Sequence, residues 1–142
     1  MRKLKNQSSY ENLQSQVRGL KLPEIECWQN MYADKDYWIE TEVPEFTCIC
    51  PKTGLPDFAL IRIKYRPDKL CLELKSFKYY INAFRDVGIF HEHVINRMLD
   101  DLVKAAKPRE MVVCGEFNAR GGIKTSVTAA YKRKQMKPEC GR

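Results

Sequence analysis

Cys50 and Asp57 stand seven positions apart in Cys50-Pro51-Lys52-Thr53-Gly54-Leu55-Pro56-Asp57 and could together perform nucleophilic chemistry. A thiolate is the strongest common side-chain nucleophile, and it needs a neighbouring base or positive charge to ionise at neutral pH. Asp57 suits the base and Lys52 the charge. A cysteine is often no more than a small buried apolar residue, but the Pro-Lys-Thr-Gly-Leu-Pro-Asp context favours chemistry here. Glu73-Leu74-Lys75-Ser76-Phe77-Lys78-Tyr79-Tyr80 gathers two lysines, a glutamate and two tyrosines, which suits a phosphate-rich ligand. Lys75 and Lys78 share a helix face, where two ammonium groups repel unless an anion lies between them, although a solvated face has the same pattern.

Phe90-His91-Glu92 joins a stacking ring, a proton-transfer group and a carboxylate. A carboxylate can accept paired hydrogen bonds from a guanine-type ring N–H and exocyclic amine, so Glu92 suits a purine edge and Phe90 its face. Glu is equally at home in a first helical turn. Arg120-Gly121-Gly122 permits close backbone approach to a ligand or makes an ordinary hairpin turn. Cys48, Cys50, His91 and His93 carry zinc-type donors, but a Cys-x-Cys pair without a second pair lacks the spacing of structural zinc, so no metal is expected.

The elements that must position these groups follow from periodicity. Residues 37–43 alternate with β-branched character before Pro44, and in 58–65 Ile61, Ile63 and Tyr65 face opposite Leu60, Arg62 and Lys64, so both segments read as strands. Residues 46–57 then form a loop carrying Cys50 and Asp57. Residues 66–69 read as a turn and 70–74 as an extended segment. Ser76 is the expected N-cap of a helix over 77–86. Ile95, Met98, Leu99, Leu102 and Val103 form the stripe of a second helix ending before Pro108. Residues 110–117 and 123–128 read as strands joined through residues 118–122. The order is strand, strand, helix, helix, strand, strand, an α+β unit whose open sheet edges favour pairing across subunits.

The 142 residues make one domain: a mobile arm over 1–25, a catalytic body over 26–128 and a basic tail over 129–142. The net charge of +7 is unevenly spread, with +4 in residues 1–21, +5 in 124–142 and −2 between. Basic ends on a slightly acidic body read as solubilising extensions, which argues against a nucleic-acid partner. With no long apolar run, a polar N-terminus and six irregularly spaced cysteines, the chain is expected in the cytoplasm, away from membranes, with most thiols reduced.

Taken together, the Phe46 to Phe58 segment, the Glu-x-Lys-x-x-Lys block, Phe90-His91-Glu92 and Arg120-Gly121-Gly122 resemble the NADPH-dependent 7-cyano-7-deazaguanine reductases, in order over residues 36–128. The resemblance implies a tunnelling fold, in which an antiparallel sheet with two helices on one face joins others into an oligomeric barrel, with active sites at subunit interfaces of a homo-oligomer. It implies that Cys50 attacks the nitrile carbon to form a thioimidate, that Asp57 and His91 move protons, and that NADPH reduces the adduct to the aminomethyl product used in queuosine synthesis. It places Glu92, Glu73 and Phe90 on the deazapurine, and Lys75, Ser76, Lys78, Arg120 and Gly121 at NADPH. The chain departs from the family at Ala119, where proline is more common, and at Cys48, where a small residue is usual and where a thiol would compete with Cys50 for oxidation. Rival readings are an amidinotransferase acting on the same nitrile carried by transfer RNA, a zinc enzyme of the same fold, and a non-catalytic purine-binding subunit.

Overall fold

The computed structural model of the protein describes residues 16–135; residues 1–15 and 136–142 of the expected arm and tail lie outside them. The elements in chain order are β1 (Cys27–Gln29), β2 (Ile39–Ile49), β3 (Pro56–Arg66), β4 (Leu70–Leu72), α1 (Leu74–Ala83), α2 (His91–Ala106), β5 (Glu110–Arg120) and β6 (Ile123–Lys132). Four strands form an antiparallel sheet in the order β2-β3-β5-β6, while β1 and β4 pair separately. The order of the larger elements is as periodicity predicts. The short β1 carries no such signal.

Boundaries differ where local geometry outweighs pattern. Pro44 does not end β2, because an edge strand tolerates a missing N–H and the register shifts between Val43 and Phe46. At the other end β3 begins at Pro56, so Asp57 is a strand residue and the loop shrinks to residues 50–55. Helix α1 is capped by Glu73 and not by Ser76: the Glu73 carboxylate accepts from the Lys75 and Ser76 N–H groups, each at 2.7 Å. The Ser76 hydroxyl instead donates to the Glu73 carbonyl and accepts from the Glu26 N–H, both at 2.9 Å. Helix α1 ends at Ala83, and a 3-10 turn over Phe84–Asp86 completes the segment. The hairpin between β5 and β6 needs only Gly121 and Gly122, whose φ angles of 57° and 77° favour glycine.

One face of the sheet carries the core. Ala59, Ile61, Ile63 and Tyr65 alternate inward along β3. They meet Phe77, Tyr80 and Ile81 of α1 and the stripe Val94, Ile95, Met98, Leu99 and Leu102 of α2. On the opposite face Arg62 bridges Glu42 at 2.9 Å and Glu116 at 3.0 Å. The described part of the expected N-terminal arm is fastened to α2, where Arg97 donates to the Val17 carbonyl at 2.5 Å and the Leu20 carbonyl at 2.7 Å. Asp101 holds that guanidinium at 2.8 Å and accepts from the Tyr80 hydroxyl at 2.7 Å. Strand β6 likewise runs past residue 128 to Lys132, so the sheet takes in the start of the expected tail.

Gly115 lets α2 approach β5 closely. A Cβ there would lie 2.6 Å from Ile95 Cδ1 and 3.0 Å from Phe117 Cε2, both on fully or nearly fully buried side chains. Gly115→Ala is therefore expected to destabilise the fold by about 1–3 kcal/mol through overpacking. Equilibrium urea unfolding checks this, and an unchanged midpoint would refute it.

Candidate active site

The nucleophile loop is built on backbone hydrogen bonds. The Cys50 N–H donates to the Leu55 carbonyl and the Gly54 N–H to the Cys50 carbonyl, each at 2.9 Å, with Gly54 at φ 69°. Burial alone raises the half-buried Cys50 thiol. The Thr53 hydroxyl and the Thr53 and Lys52 N–H groups donate to the sulfur and carry it below its ordinary range, against the opposing charge of Asp57. The end of β2 is tied to the approach to α2, since the Ile49 N–H donates to Val87 and the Ile89 N–H to Ile49, both at 2.9 Å. That bridge fixes the Cys50 loop against the start of the helix bearing His91.

Asp57 opens the inward-facing row of β3 and is only 3% exposed. Its two oxygens have different partners: Oδ2 lies 3.1 Å from His91 Nε2, and Oδ1 accepts from Arg120 Nη1. The His91 ring lies flat on Phe117, with centroids 3.8 Å apart and planes 9° from parallel. Phe117 and Arg120 stand three apart on β5, where an unbroken strand would send their side chains to opposite faces. The register shift between them brings both into one cluster. A nucleophile whose thiol is lowered, a buried carboxylate and a histidine 3.1 Å from that carboxylate can together add sulfur to an electrophilic carbon and protonate the atom beside it.

The other expected site residues are less concentrated. Glu92 is exposed in the first turn of α2, directly after His91, and half-buried Phe90 caps that helix with its ring 5.9 Å from that of His93. Lys75 and Lys78 are exposed on α1. Lys78 overlooks a cleft of about 400 Å³ formed by Val43, Pro44, Leu74, Ile81 and Arg85 among others. Ser76 is 9% exposed and its hydroxyl bonds within the fold, and each Glu73 carboxylate oxygen accepts one N–H of the first turn of α1. Gly121 is exposed and shapes the hairpin beside Arg120.

Cys48 is a core residue and not a rival to Cys50. It has no exposed surface, and burial, followed by the charges of Asp57 and Cys50, pushes its thiol up to about 12. Sequence reasoning missed Thr53 as the thiolate's donor, Phe117 as the shelf for His91 and the pairing of Arg120 with Asp57. For Phe117 and Arg120 the available signal was their odd spacing before a Gly-Gly turn.

A family model described as QueF-like protein matches residues 56–136. The chain is 58% identical over 114 residues to the NADPH-dependent 7-cyano-7-deazaguanine reductase of Elusimicrobium minutum, covering 80% of this chain and 86% of that one. It is also 58% identical over 109 residues to the reductase of the same name from Chlorobaculum tepidum, with 77% and 93% covered. Among solved structures it is similar in fold to the archaeosine synthase QueF-Like in the apo form, with a TM-score of 0.63 at 19% identity, covering 69% of this chain and 96% of that one.

The thiol geometry predicts selective alkylation. With its thiol held low, Cys50 is expected to react with iodoacetamide with a midpoint below that of a free cysteine, while Cys48 stays unlabelled in the folded protein. Thr53→Val should move the Cys50 midpoint upward. Peptide mapping across pH reads both, and a Cys50 midpoint at or above the free-thiol value would contradict the loop's role.

Proposed function

The chain belongs to the QueF-like family of NADPH-dependent 7-cyano-7-deazaguanine reductases, and from that premise we propose how its residues divide the work. Its reaction is reduction of the nitrile of 7-cyano-7-deazaguanine to an aminomethyl group, in queuosine biosynthesis. The observation that carries the residue assignment is the lowered thiol of Cys50 beside a buried Asp57 whose Oδ2 lies 3.1 Å from His91 Nε2. The Cys50 sulfur attacks the nitrile carbon as one C–N π bond opens, and the nitrogen takes the proton the thiol has lost. Asp57 and His91 carry that proton. A nitrile is a poor hydride acceptor and an N-protonated thioimidate a good one, so the two events must flank the same carbon.

When bound, NADPH supplies hydride, and two hydrides with two protons complete the reduction. The chain's own residues fit such a cofactor: Lys75 and Lys78 place two ammonium groups on an exposed helix face, and the apolar cleft below Lys78 suits a flat ring. Glu92 and Phe90, next to His91, are the residues suited to the deazapurine edge and face. Glu73 and Ser76 support the site by holding the start of α1. The amidinotransferase reading is not favoured, because the named relatives at 58% identity are reductases and the likeness to the archaeosine synthase at 19% concerns the fold.

The finer reading of partners is a homo-oligomer with composite sites. Asp57 and Tyr65 lie near opposite ends of β3, about 26 Å apart at the ~3.3 Å rise of a strand residue. The Tyr65 hydroxyl accepts from the Leu72 N–H at 3.0 Å, so Glu73 and Lys75 begin α1 toward the Tyr65 end, while Lys78 overlooks Val43 and Pro44 nearer the middle of the sheet. Leu55, Phe58 and Ile123, beside the catalytic residues in sequence, are each at least half exposed. A second copy would cover that apolar rim and bring its own lysines near. A cytoplasmic location fits a small-molecule biosynthetic enzyme, and no helix among the described residues is long and apolar enough to cross a membrane.

Purified protein is expected to oxidise NADPH only when 7-cyano-7-deazaguanine is present. Cys50→Ala should abolish that oxidation and Asp57→Asn slow it by about 10²- to 10⁴-fold. Substrate-dependent oxidation that survives Cys50→Ala would overturn the covalent assignment. Co-expressing Cys50→Ala with a Lys75→Ala/Lys78→Ala chain tests the shared site: mixed oligomers should regain part of the activity that each variant lacks alone, and no recovery would mean that one chain supplies both parts.

A further inference from the structure

Arg120 is expected at NADPH by resemblance, yet its guanidinium donates to the Asp57 carboxylate, the group assigned to proton transfer. The two oxygens of that carboxylate are divided between two partners: Arg120 holds Oδ1 and His91 Nε2 meets Oδ2. Because a carboxylate turns about its last bond, a group binding one oxygen fixes where the other points. Here the other points to a histidine already held flat by Phe117. Arg120 reaches this position through two backbone features, the register shift after Phe117 and the two-glycine turn that pairs Arg120 with Ile123. The arginine side chain is 38% exposed and the Asp57 side chain 4%, so a buried carboxylate is held by a guanidinium that reaches solvent.

We propose that Arg120 is a positioning residue for Asp57, required for proton transfer during attack by Cys50 and therefore before any hydride is delivered. This rests on the covalent reading above. It separates from a cofactor role because the first step, transfer of the thiol proton to the nitrile nitrogen with formation of the C–S bond, consumes no NADPH. A residue that only binds NADPH leaves that step unchanged. A residue that orients Asp57 alters it, and alters it only while Asp57 is present.

The experiment follows adduct formation on Cys50 by intact mass and absorbance, with 7-cyano-7-deazaguanine and without NADPH. Arg120→Met is expected to slow it by about 10- to 100-fold, the scale of a small misplacement of a reacting group. Arg120→Lys, which keeps a cationic donor, should recover part of the rate. In an Asp57→Asn background Arg120→Met should add little further loss, because the arginine acts through the carboxylate. Full additivity in that cycle would overturn the proposal, as would an adduct rate in Arg120→Met within twofold of the parent with the change confined to KM for NADPH. If the parent protein forms no adduct at all, the covalent reading falls and this proposal with it; a normal parent with an indifferent Arg120→Met sinks the proposal alone.

Discussion

Asp57 occupies the row of β3 side chains that Ala59, Ile61, Ile63 and Tyr65 continue into the core, and a carboxylate there must be answered by donors. An unpartnered one would cost on the order of several kcal/mol or lose its charge. The protein answers with one group on each oxygen, His91 from the first turn of α2 and Arg120 from the end of β5. Neither is close to Asp57 in sequence. Burial of one acidic group therefore obliges a helix start, a strand end and a loop to converge, and the nucleophile sits on that loop.

Regular geometry alone would not achieve the convergence. Strands present alternate residues to a face, so Phe117 and Arg120 cooperate only because the strand slips between them. The same economy holds on β2, where a bridge to Gly88 joins the residue before Cys50 to the segment leading into His91. Gly115 completes the arrangement by letting Ile95 press against β5 beside Phe117, the ring on which His91 lies. Packing in the core and alignment in the site are thus one problem.

Much of this was legible from residue order. The α2 stripe and the inward alternation of β3 are period signals, and they set the fold class and the face that holds the core. The chemical residues were legible through their motifs, but their contacts were not. Assigning Asp57 to a loop followed from weighing Pro56 as a breaker, although Asp57 lies in phase with Ile61, Ile63 and Tyr65, and that phase marks it as buried. Choosing Ser76 as the cap followed its usual preference, while Glu73 wins because its carboxylate reaches two N–H groups and Ser76 has a partner in Glu26. Contacts such as Arg120 with Asp57 join residues 63 positions apart and depend on a strand irregularity that no local pattern announces.

The division of the chain into two chemical ends bears on why a small domain of this kind would associate. A lysine side chain spans roughly 6 Å from its Cα, whereas β3 alone separates the Asp57 end from the Tyr65 end by about 26 Å. If Lys75 serves a cofactor that must touch an adduct on Cys50, one chain cannot place both at the same end of β3. Two chains set side by side can, and the sheet supplies the means, because among the described residues both β2 and β6 have an open edge. The edges are unlike, with β2 broken by Pro44 and the slip before Phe46 while β6 runs from Ile123 to Lys132 without a proline. Pairing through unlike edges is head-to-tail, and head-to-tail contacts form a ring where the rotation between neighbours closes. On the composite reading, oligomer and active site therefore have a common origin in where the chain puts its lysines and its cysteine.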